Sequence, residues 1–285
     1  MKTIRMFAAG LTLFSLIALN VFAEGTAVDG LNGKFDVSGG RLDSFWAENC
    51  VASVSLPISQ KFGLQADGLY THVGNLNFEG GGIHLFWRDP EKGLLGFTGG
   101  GINGDFLYAL QGGLEGQYFL HRFTFGANLS ASTLQYQNHA PFIDSHPLGL
   151  GARASVSYYP IDNLMIQVGY SSFLDNSLGQ ISLEYQTPVR GLSCFADLAR
   201  GEHGYDQFLF GLRFYFGKSK TLIQRHRQDD PPNLLESLLS GIGTYGAEWN
   251  HAGRTYAAEH GESFNGGSYG LGSFSLISAV GGSQP

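Results

Sequence analysis

From Gln207 to Gly217 the chain reads QFLFGLRFYFG, with Phe208, Phe210, Leu212, Phe214 and Phe216 at every second position and Gln207, Gly211, Arg213 and Tyr215 among the residues between. Successive strand side chains point to opposite faces, so this segment has one face built entirely of large apolar groups. The same alternation recurs along most of the chain, in long segments with aromatic ends. A soluble sandwich alternates too, but that combination points to an all-β chain folded as an antiparallel transmembrane β-barrel.

Period-2 reading between turn signals gives about twelve strands, near 32–39, 48–57, 61–73, 76–88, 93–102, 105–119, 122–136, 147–159, 163–173, 178–187, 191–200 and 205–216. An even number places both barrel termini on one side of the membrane, the periplasmic side in bacterial single-chain barrels. One set of connections is tight and rich in turn formers: Pro57–Gln60, Arg88–Gly93, Leu120–His121, Pro160–Asn163 and Pro188–Gly191. These would be the periplasmic turns. The other set contains the longest connection, Gln137–His146. Near the tight turns cluster Trp87, Tyr118, Phe119, Tyr158, Tyr159, Tyr185, Phe214 and Phe216, as an interfacial girdle requires.

Parity sorts the strands. Outward fall Phe106, Tyr108, Leu110, Leu114 and Tyr118, then Leu148 to Tyr158, Leu164 to Tyr170, and Ile181, Leu183 and Tyr185 at alternate positions. Inward fall Gln65, Asp67, Gln111, Glu115, Gln117, Arg153, Gln167, Glu184, Asp197 and Arg213. A basic residue at the bilayer midplane costs about 2–4 kcal/mol, so lipid exposure enforces this confinement of charge to one face. One segment resists: Leu76 and Phe78 share a parity with His84, whereas Ile83, Leu85 and Trp87 look outward. A β-bulge at Gly80-Gly81-Gly82 would reconcile the two halves.

Composition agrees. The chain holds 42 glycines, 22 phenylalanines and 13 tyrosines with 14% charged residues, and its mean hydropathy of −0.04 is that of a barrel whose two faces cancel. The net charge of −7 and the absence of a basic stripe exclude nucleic acid as an expected partner. At the N-terminus Lys2 and Arg5 precede an apolar stretch, Met6–Phe22, that ends in small residues, so residues 1–23 read as a secretory signal peptide and 24–217 as the barrel. Cys50 and Cys194 fall on apolar parities of distant strands and read as two unpaired thiols, although an exported location permits a disulfide. The scattered histidines have no ligand spacing, so neither metal nor cofactor is expected.

On this signal peptide, topology and final strand, the chain resembles the porin-like outer-membrane β-barrel proteins of Gram-negative bacteria. Their last strand carries an assembly signal, a glycine followed by spaced aromatics, here Gly211, Phe214 and Phe216. Leu209 stands where a polar residue is usual, and a long tail follows where the family normally ends. The resemblance implies an outer-membrane location, contact with its lipid and with the barrel-assembly machinery, and by analogy a homo-oligomer. It carries over no pore or catalytic residues.

After Gly217 the alternation stops. Residues 218–285 read as a periplasmic, low-complexity and mostly disordered tail, entered through a hinge at Lys218–Pro232. Asn233 and Glu236 form a capping pair ahead of Leu234, Leu235, Leu238, Leu239 and Ile242, which predicts a short helix near 234–240 that Gly241 helps to end. That helix would dock in the barrel mouth or on a partner, or form only transiently. Tyr269–Val280 carries a short glycine-broken pattern for an extra strand.

Three functions compete. A passive porin-like channel for small polar solutes or cations would use the pore-lining candidates Asp67, Glu115, Glu184 and Asp197, with Arg153 and Arg213 as internal counter-charges. A non-conducting barrel serving structure or adhesion would instead fill its lumen with paired charges. An outer-membrane lipid hydrolase would need a lipid-facing His and Ser. His84 is the one histidine well inside a strand, and Ser53, Ser155 and Ser172 are unplaced by any motif, so no catalytic residue is assigned and an enzyme is not expected.

Overall fold

The computed structural model describes residues 26–137, 143–144, 146–229, 231, 233–264 and 276–278. The signal-peptide reading therefore lies outside the described residues, as does most of Tyr269–Val280.

Twelve antiparallel strands close into one barrel, each paired with its sequence neighbours and the first with the last. They are β1 Asn32–Leu42, β2 Phe45–Pro57, β3 Phe62–Val73, β4 Leu76–Asp89, β5 Gly93–Gly104, β6 Leu107–Leu120, β7 Phe123–Tyr136, β8 Leu148–Ile161, β9 Leu164–Phe173, β10 Asn176–Gln186, β11 Leu192–Gly201 and β12 Asp206–Phe216. The ends of the wall, Asn32 and Phe216, meet at one edge, here called the terminal edge; the opposite one is the hairpin edge. Connections at the hairpin edge are as short as those at the terminal edge, with residues 43–44, 74–75, 105–106 and 174–175 each forming a two-residue link. Leu174 and Asp175 both take positive φ, 47° and 68°, the twist that suits a two-residue hairpin. Only 137–147 is long, so loop length alone distinguishes the two edges poorly.

The outer surface is the apolar face read from the sequence. Leu148 and Leu150 are 78% and 80% exposed, and Tyr108, Val168, Ile181, Phe210 and Phe216 all face outward. The girdle is corrected at two positions. Phe119 and Tyr159 are buried at 4% and 1% and point inward, because segments inside the barrel cover them. The bulge expected at Gly80–Gly82 is absent, since β3 and β4 pair without a shift from Phe62↔Trp87 to Val73↔Leu76. Leu76, Phe78, His84 and Phe86 all face inward on one unbroken parity. The sole register irregularity among the barrel pairs is at Tyr158/Ile161.

The reason Leu76 and Phe78 can face inward is that the lumen is filled. After β12 the chain forms helix α1, Leu222–Gln228, where a hinge was expected, and then α2, Leu234–His260. Asn233 caps α2 as expected, accepting from the Leu235 amide at 2.8 Å. The helix does not stop near residue 240. It runs for 27 residues, to a left-handed Gly261 at φ 68°. A short ladder, β13 Glu262–Phe264 with β14 Leu276–Ser278, comes after it.

Cys50 and Cys194 are free, half-buried and exposed respectively. Barrel closure brings them onto one outward row across the seam, through the register pairs Cys50↔Val37, Val37↔Leu212 and Leu212↔Cys194. Three inter-strand steps separate them, about 14 Å, too far for a disulfide. Non-reducing and reducing electrophoresis should therefore give one mobility, and a bilayer-soluble maleimide should modify both thiols. A mobility shift abolished by Cys194→Ala would contradict the register.

Candidate functional site

The inward positions change character along most of the strands. Toward the terminal edge polar residues prevail, with Lys34 and Asp36 on β1, Gln65 and Asp67 on β3, His84 on β4, Thr98 on β5, Glu115 on β6, Glu184 on β10 and Arg213 on β12, above an apolar rim that includes Phe86, Leu94 and Met165. Toward the hairpin edge they are apolar, with Leu42, Val73, Phe78, Ile102, Leu134 and Leu209 forming a collar. The lumen thus divides into a polar chamber and an apolar sleeve.

Helix α2 fills the sleeve. Leu235, Leu238, Ile242 and Trp249 are at most 1% exposed and belong to the same apolar cluster as the collar. Two glycines set how closely the helix lies against the wall. A Cβ on Gly241 would fall 2.6 Å from the Phe173 ring, and one on Gly243 2.6 Å from Tyr205. Hydrogen bonds tie the helix to the rim: Ser240 Oγ donates to Gln207 Oε1 at 3.0 Å, an oxygen that also accepts from Tyr205 Oη at 3.0 Å, and Tyr245 Oη donates to the Asp144 carbonyl at 2.7 Å. Tyr136 stacks on Tyr245 and lies against Trp249, with ring centroids 6.0 and 4.6 Å apart.

The chamber keeps a cavity of about 160 Å³ between the start of α2 and the wall, lined by Lys34, His84, Arg153, Asp197, Arg213 and Glu236 among others. Its charges form two paired sets, each with one basic group between two carboxylates. His84 sits between two carboxylates, Nε2 2.9 Å from Asp67 and Nδ1 2.9 Å from Glu115. Asp67 is extended into a chain, accepting from Gln65 Nε2 at 2.9 Å, while Gln65 accepts from Ser55 Oγ at 2.7 Å. At the seam Arg213 Nε donates to Asp36 at 2.9 Å while its Nη1 donates to Glu184. The pair Asp36↔Arg213 lies directly across the closing strands.

Helix α1 is latched to this network. His226 meets the hydroxyls of Tyr159 and Tyr215 at 2.9 and 3.0 Å, and Tyr215 Oη donates to Glu184 at 2.9 Å. The Arg227 guanidinium lies over the Phe119 ring, 5.2 Å from its centroid. The segment before β1 closes the rest of the terminal mouth: Ala27 and Val28 are fully buried, and Arg88 Nη1 donates to the Ala27 carbonyl at 3.3 Å. Burial alone would raise the Asp29 carboxyl, but Lys218 and Lys220 hold it below its ordinary value. Burial pushes the Asp229 carboxyl up against the pull of Lys220.

All six pore-lining candidates therefore face the lumen. Asp67 with Glu115, and Glu184 with Arg213, are tied into the two networks; Arg153 and Asp197 line the cavity wall, Arg153 Nη2 donating to Gln180 at 3.4 Å. Sequence reading missed Asp36 and His226, and it took Glu236 as a cap partner where the structure places it on the cavity wall. It also missed the continuation of α2, although Leu238, Ile242, Tyr245, Trp249, Gly253 and Ala257 repeat at three- and four-residue spacing. The hydrolase geometry is not met, because His84 is fully buried in the lumen rather than facing lipid and has a carboxylate at each ring nitrogen. Gly211 lies on β12 between its register partners Ser38 on β1 and Phe195 on β11, with Phe214 and Phe216 outward toward the terminal edge.

The architecture is that of solved outer-membrane porins. The KdgM porin in complex with disordered oligogalacturonate aligns with a TM-score of 0.50 at 10% identity, over 65% of this chain and 99% of that one. The NanC porin gives 0.51 at 11% identity, over 63% and 98% respectively. Identity this low establishes a common fold and leaves activity to be argued from the site. No protein-family model matches the sequence, and no curated protein does.

Removing one member of a buried charge set leaves the others uncompensated. His84→Ala should therefore destabilise the barrel by about 3–5 kcal/mol. Replacing the set together, with His84→Gln, Asp67→Asn and Glu115→Gln, should recover most of that loss. Urea midpoints of the detergent-folded protein check both.

Proposed function

We propose that the protein is an outer-membrane barrel of porin architecture that its own C-terminal helix holds closed, so that it acts as a non-conducting anchor in the envelope. The observation that carries this reading is the apolar sleeve. The wall at that level, Leu42, Val73, Phe78, Ile102, Leu134 and Leu209, is apolar and belongs to one cluster with the residues of α2, so it is lined for a helix and not for the ions or polar solutes of a channel. With α2 present, five large side chains, Leu235, Leu238, Leu239, Ile242 and Trp249, are buried in the sleeve. At about 1.5–3 kcal/mol each, their burial favours the seated helix by roughly 10 kcal/mol before the cost of ordering it. A seal of that strength is part of the resting structure.

The second reading is the passive channel. It rests on the chamber, where Asp67, Glu115, Glu184 and Asp197 outnumber Arg153 and Arg213, and on the fold shared with porins. In that reading α2 leaves the sleeve and the acids favour cations or polar solutes.

Planar-bilayer recordings of the mature chain separate the two. The full-length protein should be silent. Placing two charges in the sleeve with Leu238→Asp and Ile242→Asp should produce discrete conductance steps, as should removal of residues 218–285. In the conducting forms, Glu115→Gln with Asp197→Asn should move the reversal potential away from cation preference. Steady conductance of the unaltered full-length protein would replace the anchor with the porin.

A further inference from the structure

The burial of α2 changes abruptly along its length. From Leu234 to Trp249 nearly every residue is buried, whichever way it points, as in a helix enclosed on all sides. From His251 to His260 only Gly253 and Ala257 are buried, and Arg254, Thr255, Ala258, Glu259 and His260 are exposed. At 1.5 Å per residue the enclosed portion is about 24 Å long and the free portion about 15 Å.

The direction of travel is fixed by contacts. Leu235 packs on Gly80 and Gly82, midway along β4. Gly241 and Gly243 pass Phe173 and Tyr205 at the hairpin edge. Glu248 accepts from Asn176 Nδ2 at 2.6 Å at the start of β10, and the His251 ring lies 5.1 Å from that of His203 in the β11–β12 connection. Beyond that level Phe264 folds back, its ring standing where a side chain on Gly253 would go. The chain therefore leaves β12 at the terminal edge, passes through the lumen and emerges past the hairpin edge.

We infer that the barrel displays part of its own C-terminal segment: residues 250–264 stand on the outer face of the membrane and not in the periplasm. This display rests on the outer-membrane reading, because in bacterial single-chain barrels the edge carrying both wall ends is periplasmic. It replaces the periplasmic tail expected from sequence. It also gives the sleeve a purpose that a plug alone lacks, since a plug needs only the enclosed part of α2. Here the helix continues past the rim to His260, and β13 turns back against it through Phe264.

The test is thiol labelling of intact cells with a membrane-impermeant maleimide, in the full chain with Cys50→Ala and Cys194→Ala removing the native thiols. Three exposed positions are compared: Arg254→Cys on the emerged helix, Ser44→Cys in the β1–β2 turn at the hairpin edge, and Lys92→Cys in the β4–β5 turn at the terminal edge. Arg254→Cys and Ser44→Cys should label in intact cells, and Lys92→Cys only after the outer membrane is permeabilised. Labelling at Ser44→Cys with protection at Arg254→Cys would overturn the display while leaving the barrel in place. Protection at both, or labelling at Lys92→Cys in intact cells, would overturn the outer-membrane reading or its orientation, and the display with it.

Discussion

A wall of twelve strands encloses more space than its inward side chains can fill, and everything inside this protein answers to that geometry. Water would fill the excess if the wall were polar throughout. Along the hairpin half it is apolar, so the space must hold apolar matter, and the chain supplies it as α2. Close-packed interiors then dictate the details. Glycines appear where the helix approaches the wall, as Gly80 and Gly82 do beside Leu235 and Gly241 beside Phe173. Larger rings appear where a gap is left, as Tyr136 does against Tyr245 and Trp249.

The terminal half meets the same demand by other means. There the fill is charge in paired sets with an excess of acid, with His84 between two acids and Arg213 joining the first and last strands through Asp36. Helix α1 borrows from this network through His226, so the segment leading into α2 is held by groups already ordered by barrel closure. Seating the helix and closing the seam are thereby coupled through Glu184, which takes hydrogen bonds from both Arg213 and Tyr215.

The outward face is legible in the sequence because lipid enforces a rule that acts on each residue alone. Twelve strands, their approximate bounds and the six inward charged candidates all come from it. The filling is harder to read because it depends on contacts between residues far apart in sequence. Leu76 and Phe78 look misplaced and invite a bulge, yet they lie opposite a helix that begins more than 150 residues later. Phe119 and Tyr159 look like girdle residues for the same reason. Gly241 has the character of a helix end, although here it allows the helix to lie against a ring. One signal of the filling does stand in the strands: the inward parity runs Gln65, Asp67, Leu69, Thr71, Val73 on β3 and Leu107, Ala109, Gln111, Gly113, Glu115 on β6. Polar at one end and apolar at the other on strands of opposite direction, this gradient marks a lumen that is not water-filled throughout.

The row Cys50, Val37, Leu212, Cys194 crosses the seam where the last strand joins the first. Two thiols thus stand astride the junction that must shut for a sheet to become a tube. Spin labels or fluorophores on the unmodified sequence would report whether that junction is shut, and would do so from the lipid side, where neither the helix nor the chamber interferes. The protein carries its own gauge of barrel closure, readable while it assembles.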